Sequence, residues 1–367
     1  MKAGWSIKRF ADVLEIRNGK NQREVESKDG VYPIFGSAGN VMGYATSFIC
    51  EAGTTIIGRK GNINTPIYSE TNFWNVDTAF GLAVKLGLDK KFLFYYCLSF
   101  DFSALNRGTT IPSLVKSELL GISIPIPPLP EQQRIVTLLD EAFDGIATAR
   151  AHAEKNLQNA RAIFESYLES VFNAQVKGTI AGTLGEFCDL FQGLCINAKT
   201  KHLLVEKSNL PLLRIKDLTG NTVEQFIAES GWPKNSLVTE SEIIYTRTGQ
   251  IGLVFRGRAG ILHNNCFKIR PKPTLNHDYI YWWLKNPAFR AKITVLASKT
   301  AQPDITHVLF KAQPIFVPPR AYQDQAIARI DEMREQTLQL ESLYQQKLTA
   351  LDALKKSLLH RAFSGQL

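Results

Sequence analysis

The sequence predicts an α+β protein: two β-rich domains separated by two long helices, the helices pairing as an antiparallel coiled coil and the whole forming a pseudo-twofold internal repeat. Three observations predict it. The stretch Ile122–Phe172 recurs at a constant offset of 191 residues, Pro127-Pro128 returning as Pro318-Pro319, Asp140-Glu141 as Asp331-Glu332, Ser166 as Ser357, Leu168 as Leu359 and Phe172 as Phe363. Behind each proline pair, apolar residues follow a heptad spacing. Ahead of each pair, short β-branched or aromatic runs are punctuated by turn residues.

Taken in order, residues 1–128 form the first domain. Asn18-Gly19, Asp29-Gly30 and the run Phe35-Gly36-Ser37-Ala38-Gly39-Asn40 are turn signals, and Thr54-Thr55-Ile56-Ile57-Gly58 is a strand. Asp89 to Leu98 reads as a short amphipathic helix closing the domain. Residues 129–177 form the first long helix. Its seam runs Ile135, Leu139, Ala142, Ile146, Ala149, Ala153, Asn156, Ala160, Ile163, Tyr167, on a helix of roughly 70 Å at 1.5 Å per residue. Residues 178–319 repeat the domain layout, with Leu190-Phe191-Gln192-Gly193 early, the strand Glu242–Arg247, and a counterpart helix from Asp278. Residues 320–367 form the second long helix, whose equivalent seam is Ala326, Ile330, Met333, Thr337, Leu340, Tyr344, Lys347, Leu351, Leu354, Leu358. Neither helix can bury its stripe alone, so the economical arrangement pairs them antiparallel with one domain at each end. Asn156 and Lys347 occupy one equivalent rung, and a polar pair there is expected to fix the register.

Charge separates these parts. The globular segments carry a net +12, with 14 Lys+Arg against 11 Asp+Glu over residues 1–130 and 19 against 10 over 177–321, and the long helices lower this to +9 for the whole chain. Residues 131–176 carry 4 against 7, and residues 322–367 carry 6 against 6. Basic globular parts favour polyanions, because phosphate binding releases condensed counterions. The longest apolar stretch, Phe92–Phe100, is far too short to span a bilayer, and the N-terminus has no apolar run, so a cytoplasmic protein without membrane attachment is expected. Five cysteines without a CxxC pair, and histidines without an HExxH, give no metal framework; buried thiols are expected.

Catalytic motifs are not found. The chain contains no GxxxxGK[ST], GxSxG or glycine-rich strand-to-helix turn. Asn286-Pro287-Ala288-Phe289 approaches the Asn-Pro-Pro-Phe turn of amino-methyltransferases but lacks the second proline, and reads as a helix-breaking connection. Pro303-Asp304 lacks the downstream Glu-x-Lys of a nuclease metal site.

What remains is a set of loops. Gly58–Asn64 and Thr246–Gly252 each follow a strand and combine glycine with long polar side chains. Arg59, Lys60, Asn62 and Asn64 in the first, and Arg247, Thr248 and Gln250 in the second, are the residue types that read base edges, Arg on guanine and Asn or Gln on adenine. A second pair of loops precedes each proline unit. It carries Arg107, Thr109 and Thr110 in one copy and Lys299, Thr300 and Gln302 in the other. These thirteen residues are the candidate DNA contacts; no catalytic, cofactor or metal residue is assigned.

The string from Ile124 to Val136, IPIPPLPEQQRIV, and the C-terminal LKKSLLHRAFSGQL from Leu354 to Leu367 resemble the specificity subunit of type I restriction–modification systems. YPIFGSAGNVMGY and GRKGN in the first domain add to the likeness, while the second helix start departs from it, reading PPRAYQDQ. The resemblance implies a target-recognition domain in 1–128 and another in 178–319, each reading one half of a bipartite, asymmetric target in double-stranded DNA. It implies conserved helices that set the spacing and dock two modification (methyltransferase) subunits, and assembly with restriction (translocase and nuclease) subunits. Cofactors are then expected on those partners only: S-adenosylmethionine, ATP and Mg. Two other classes remain open at this point, a self-contained DNA-modifying enzyme with an unrecognised site and a structural coiled-coil adaptor.

Overall fold

The computed structural model describes residues 4–298 and 303–367. It divides into two compact units, one built from residues 1–155 and 344–367 and the other from 156–343. The two long helices run over Leu129–Phe172 and Arg320–Ser364, so each unit contains part of both.

In the first unit a four-stranded antiparallel sheet orders Leu14–Asn18, Ala79–Val84, Thr55–Gly58 and Ile67–Tyr68. A three-stranded sheet places Tyr32–Phe35 between Val41–Ala45, antiparallel, and Trp74–Asn75, parallel. Ser6–Arg9 pairs with Ser123–Ile126, tying the N-terminal strand to the segment that leads into the first long helix. The helix Lys90–Ser99 is capped by Asp89, whose carboxylate accepts from the Phe92 amide at 2.9 Å. Its buried face joins the sheet, and Ile135, Leu139, Leu359 and Ala362 of the long helices complete the same core.

The second unit repeats this frame. Its four-stranded sheet orders Cys188–Gln192, Cys266–Pro271, Ile243–Thr246 and Val254–Phe255, and Ile180–Thr183 pairs with Pro314–Val317. The helix His277–Leu284 is capped by Asn276 and packs with Phe164, Leu168, Ala326, Ile327 and Ile330. The small sheets differ. Leu212–Leu213 keeps the parallel pairing to Gly260–Leu262, but the third strand, Leu237–Val238, adds to the opposite side of that pair from Val41–Ala45 in the first unit.

The long helices run antiparallel within each unit. In the first, Arg150 pairs with Asp352 at 2.5 Å and Lys355 lies 5.0 Å from the Phe143 ring centre. In the second, Arg161 pairs with Glu341 at 3.5 Å and Arg334 lies 5.4 Å from the Phe164 ring centre. Both sets of partners are interchanged by the 191-residue offset.

The seam departs from the strict heptad. Beyond Ala153 the buried line passes through the half-buried Leu157 and on to Ala160, Phe164 and Leu168, leaving Asn156 exposed and Ile163 58% exposed. The second helix does the same, burying Leu348 and exposing Lys347 and Leu340. Neither Asn156 nor Lys347 is a buried polar rung. An α-helix of 3.6 residues per turn drifts off a 3.5-residue repeat, and one extra four-residue step in each helix resets the stripe.

One side chain at each helix start fixes the helix to its domain. Gln132 is fully buried; its Nε2 donates to Gly87 O at 3.0 Å and Pro127 O at 2.9 Å, and its Oε1 accepts from Asp89 N at 2.7 Å. Gln323, 191 residues on, donates to Thr274 O at 3.0 Å and Pro318 O at 2.8 Å, and accepts from Asn276 N at 2.6 Å. This glutamine is common to PPLPEQQ and PPRAYQDQ, which explains why the second start works despite its altered sequence. Asp140 and Asp331 add a further equivalent tie, to Lys91 and Tyr95 in one unit and to the Trp282 indole in the other.

Candidate nucleic-acid interface

The two loops singled out in the first domain are stitched together. Lys60 and Ser113 form a β-bridge, Leu114 N donates to Arg59 O at 2.9 Å, and Gly61 N donates to Pro112 O at 2.9 Å. The second domain repeats the bridge at Thr248 and Asp304, with Ile305 N donating to Arg247 O at 3.0 Å. Gly61 and Gly249 make these turns possible, both lying in the left-handed region at φ 83° and 69°. In the other loop a Cβ on Gly108 would sit 1.8 Å from Ile111 O.

Within this frame the candidate side chains divide. Lys60, Asn62, Thr109 and Thr110 are exposed on the first cluster, with Asn62 Oδ1 accepting from the Thr65 hydroxyl at 2.9 Å. Arg59 is half-buried; it donates to Asp77 O at 3.3 Å and its guanidinium lies 5.7 Å from the Phe80 ring centre. Arg107 is exposed and ion-paired with Glu118, which raises its pKa further above the ordinary arginine value. Asn64 works inward. Its amide donates to Asp101 Oδ1 at 3.0 Å and its carbonyl accepts from Phe102 N at 2.8 Å, closing the turn after the Lys90–Ser99 helix.

In the second cluster Gln250 is exposed and Thr248 half-buried. Arg247 is held by a two-pronged ion pair to Asp304, Nε to Oδ1 at 2.9 Å and Nη2 to Oδ2, and Nη1 donates to Gln192 Oε1 at 3.3 Å. Its fork is therefore occupied within the chain, and it orients the loop instead of projecting from it. Asp304 is thereby engaged as a structural anion. Behind the loop, burial first and then the nearby Arg247 and Lys311 charges hold His307 below the ordinary histidine pKa. Lys299, Thr300 and Gln302 lie outside the described residues.

A third loop completes each cluster and was not apparent in the sequence. Arg59 N and Lys60 N both donate to Thr78 O, at 2.7 and 3.2 Å; Arg247 N and Thr248 N donate to Asn265 O, at 2.8 and 3.4 Å. Residues 76–78 and 263–265 thus occupy equivalent places, although they share no residue type. Elsewhere, Asn286 accepts from Ala288 N at 2.8 Å and caps the helix Pro287–Ala297, as a helix-breaking connection would. Four cysteines are buried and Cys195 is exposed, where five buried thiols had been expected. Among the described residues no helix is long and apolar enough to cross a membrane.

Comparison with known proteins converges on one group. The family model described as "Type I restriction modification DNA specificity domain" matches residues 2–157 and 181–350. The type I restriction enzyme EcoKI specificity subunit of Escherichia coli K12 is 25% identical over 72% of this chain, the match spanning 62% of that subunit. The EcoDI specificity subunit of Escherichia coli is 20% identical over 99% of this chain and 88% of its own length. Among solved structures, a chain from a study of complex assembly and conformational transition of the type I R-M system aligns with a TM-score of 0.82 at 20% identity, covering 100% of this chain and 99% of that one. The HsdS subunit from Thermoanaerobacter tengcongensis aligns at 0.60 with 18% identity, covering 100% and 98%. At these identities the structural likeness concerns the fold.

Proposed function

The chain belongs to the type I restriction modification DNA specificity domain family, and from that premise we propose that it is the sequence-reading, non-catalytic subunit of a type I restriction–modification enzyme. One observation carries the reading: in each unit the same backbone bonds gather three separate loops into one polar cluster on a basic domain. Glycine turns let the backbone approach phosphate, and the exposed side chains held neither by the Glu118 ion pair nor by the turn after the Lys90–Ser99 helix, Lys60, Asn62, Thr109, Thr110 and Gln250, are of the kinds that contact phosphates and base edges. Because the two clusters carry different side chains, the target is bipartite and asymmetric, one half to each domain. Lys299, Thr300 and Gln302 are, from their residue types alone, further candidate contacts for the second half-site.

The long helices, less basic than the domains they hold, dock two modification subunits. Those partners bring S-adenosylmethionine, and restriction subunits bring ATP and Mg. Action on DNA in the cytoplasm follows from this role. Methylome sequencing of a host carrying the chain with its modification partner tests the reading, which expects a bipartite, non-palindromic methylated motif. Exchanging residues 178–319 for those of another such subunit should alter one half of that motif; alteration of both halves would overturn the assignment of one domain to each half.

A further inference from the structure

Matched backbone bonds align the third loop of one domain with that of the other, residue for residue. Lys20 N donates to Asn75 O at 2.9 Å as Leu194 N donates to Leu262 O at 2.6 Å. Val76 N donates to Phe35 O at 2.9 Å as His263 N donates to Leu213 O at 3.1 Å. Gly19 N donates to Ala79 O at 3.2 Å as Gly193 N donates to Cys266 O at 3.4 Å. Both glycines are obligatory for close approach, since a Cβ would lie 1.8 Å from Val76 O in the first domain and 2.3 Å from His263 O in the second. Val76, Asp77 and Thr78 therefore correspond to His263, Asn264 and Asn265.

At the tip of this loop the chemistry is inverted between the copies. Asp77 is exposed, and among the described residues its carboxylate has no hydrogen bond or ion pair, although its own carbonyl accepts from Arg59. Asn264 is half-buried; its main-chain carbonyl accepts from Gln192 Nε2 at 2.9 Å, and its side-chain amide has no partner among the described residues. A bare carboxylate in a cluster facing phosphates is repelled unless it meets a donor, and its usual major-groove partner is the cytosine amino group, because adenine's amino group lies beside the N7 acceptor, which would repel an acid. An amide donates and accepts at once, which suits adenine.

We propose that Asp77 and Asn264 are specificity-determining positions, Asp77 accepting from a cytosine amino group in one half-site and Asn264 pairing with adenine in the other. The inference rests on the reading of the domains as DNA-recognition domains. Its test uses the intact chain with its modification partner in a host whose methylome is sequenced, comparing wild type with Asp77→Asn and with Asn264→Asp. Asp77→Asn is expected to relax or change one base in a single half-site, leave the other half unchanged, and lower methylation of the original motif about tenfold. Asn264→Asp is expected to do the same in the opposite half. Wild-type methylation of a bipartite motif that both variants reproduce unaltered would overturn this inference alone. Absence of a bipartite motif in the wild type would overturn the underlying reading as well. Because either variant could lose methylation by misfolding, the thermal midpoint of each purified chain is measured alongside. A wild-type midpoint with loss confined to the original base supports the proposal, and a change of base in the wrong half overturns it.

Discussion

Removing the Gln132 side chain should loosen the first long helix from its domain. In Gln132→Ala, Gly87 O, Pro127 O and Asp89 N lose the partner they share, and the Gln132 site is fully shielded from solvent. An unsatisfied buried polar group costs about 1–3 kcal/mol. Taken at the low end of that range for each of the three groups, the loss is roughly 3 kcal/mol. For a unit of this size that corresponds to a fall in thermal midpoint of roughly 6–12 °C. Differential scanning calorimetry of wild type, Gln132→Ala and the exposed neighbour control Gln133→Ala measures it, the control moving by no more than about 0.5 kcal/mol. Gln323→Ala should produce an equivalent loss in the second unit, where the bonds recur. If Gln132→Ala were indistinguishable from Gln133→Ala, the claim that this glutamine clamps helix to domain would be refuted.

The corrected seam makes Leu348→Ala, at a residue only 8% exposed, cost about 2–3 kcal/mol, while Lys347→Ala stays within about 0.5 kcal/mol; urea denaturation distinguishes them. Arg150→Ala should cost less than about 1 kcal/mol despite its short contact with Asp352, because both side chains are largely solvated; a loss several times larger would show that the pair is desolvated. Lys60→Ala should weaken DNA binding evenly across sequences and reduce the slope of log affinity against log salt by about 0.9, as measured by fluorescence anisotropy titrations. Asp304→Ala should release the Arg247 fork and alter reading of the second half-site only, which methylome sequencing reports.

The repeat was legible because identical requirements recur at identical spacing. Each proline pair ends a strand, each buried glutamine clamps a helix start, and Phe172 and Phe363 each pack on aromatic residues of their own unit, Tyr279 in one and Phe92 and Tyr96 in the other. The seam was legible as far as Ala153 in the first helix and Thr337 in the second. At the next turn the sequence offers Asn156 and Leu157 as alternatives, and a strict heptad selects Asn156. The helix, wound closer to 3.6 residues per turn, buries Leu157 instead and repeats that step at Leu348.

The loop after the strand and the loop before the proline unit could be found in each domain from glycine and basic or polar residues in succession, but their partners could not. Asp304 is 57 residues from the Arg247 it holds, and nothing local to Arg247 signals that its fork is filled. The third loop escaped for a different reason. Val76-Asp77-Thr78 and His263-Asn264-Asn265 have no letters in common, and their equivalence lies in which amides donate to which carbonyls. A scaffold held through backbone groups leaves its side chains free to vary, so a loop that carries specificity is the part of the repeat least visible in sequence. The same separation allows one domain to acquire a new half-site at Asp77 or Asn264 while the glycine approaches and bridge bonds that position the loop stay unchanged.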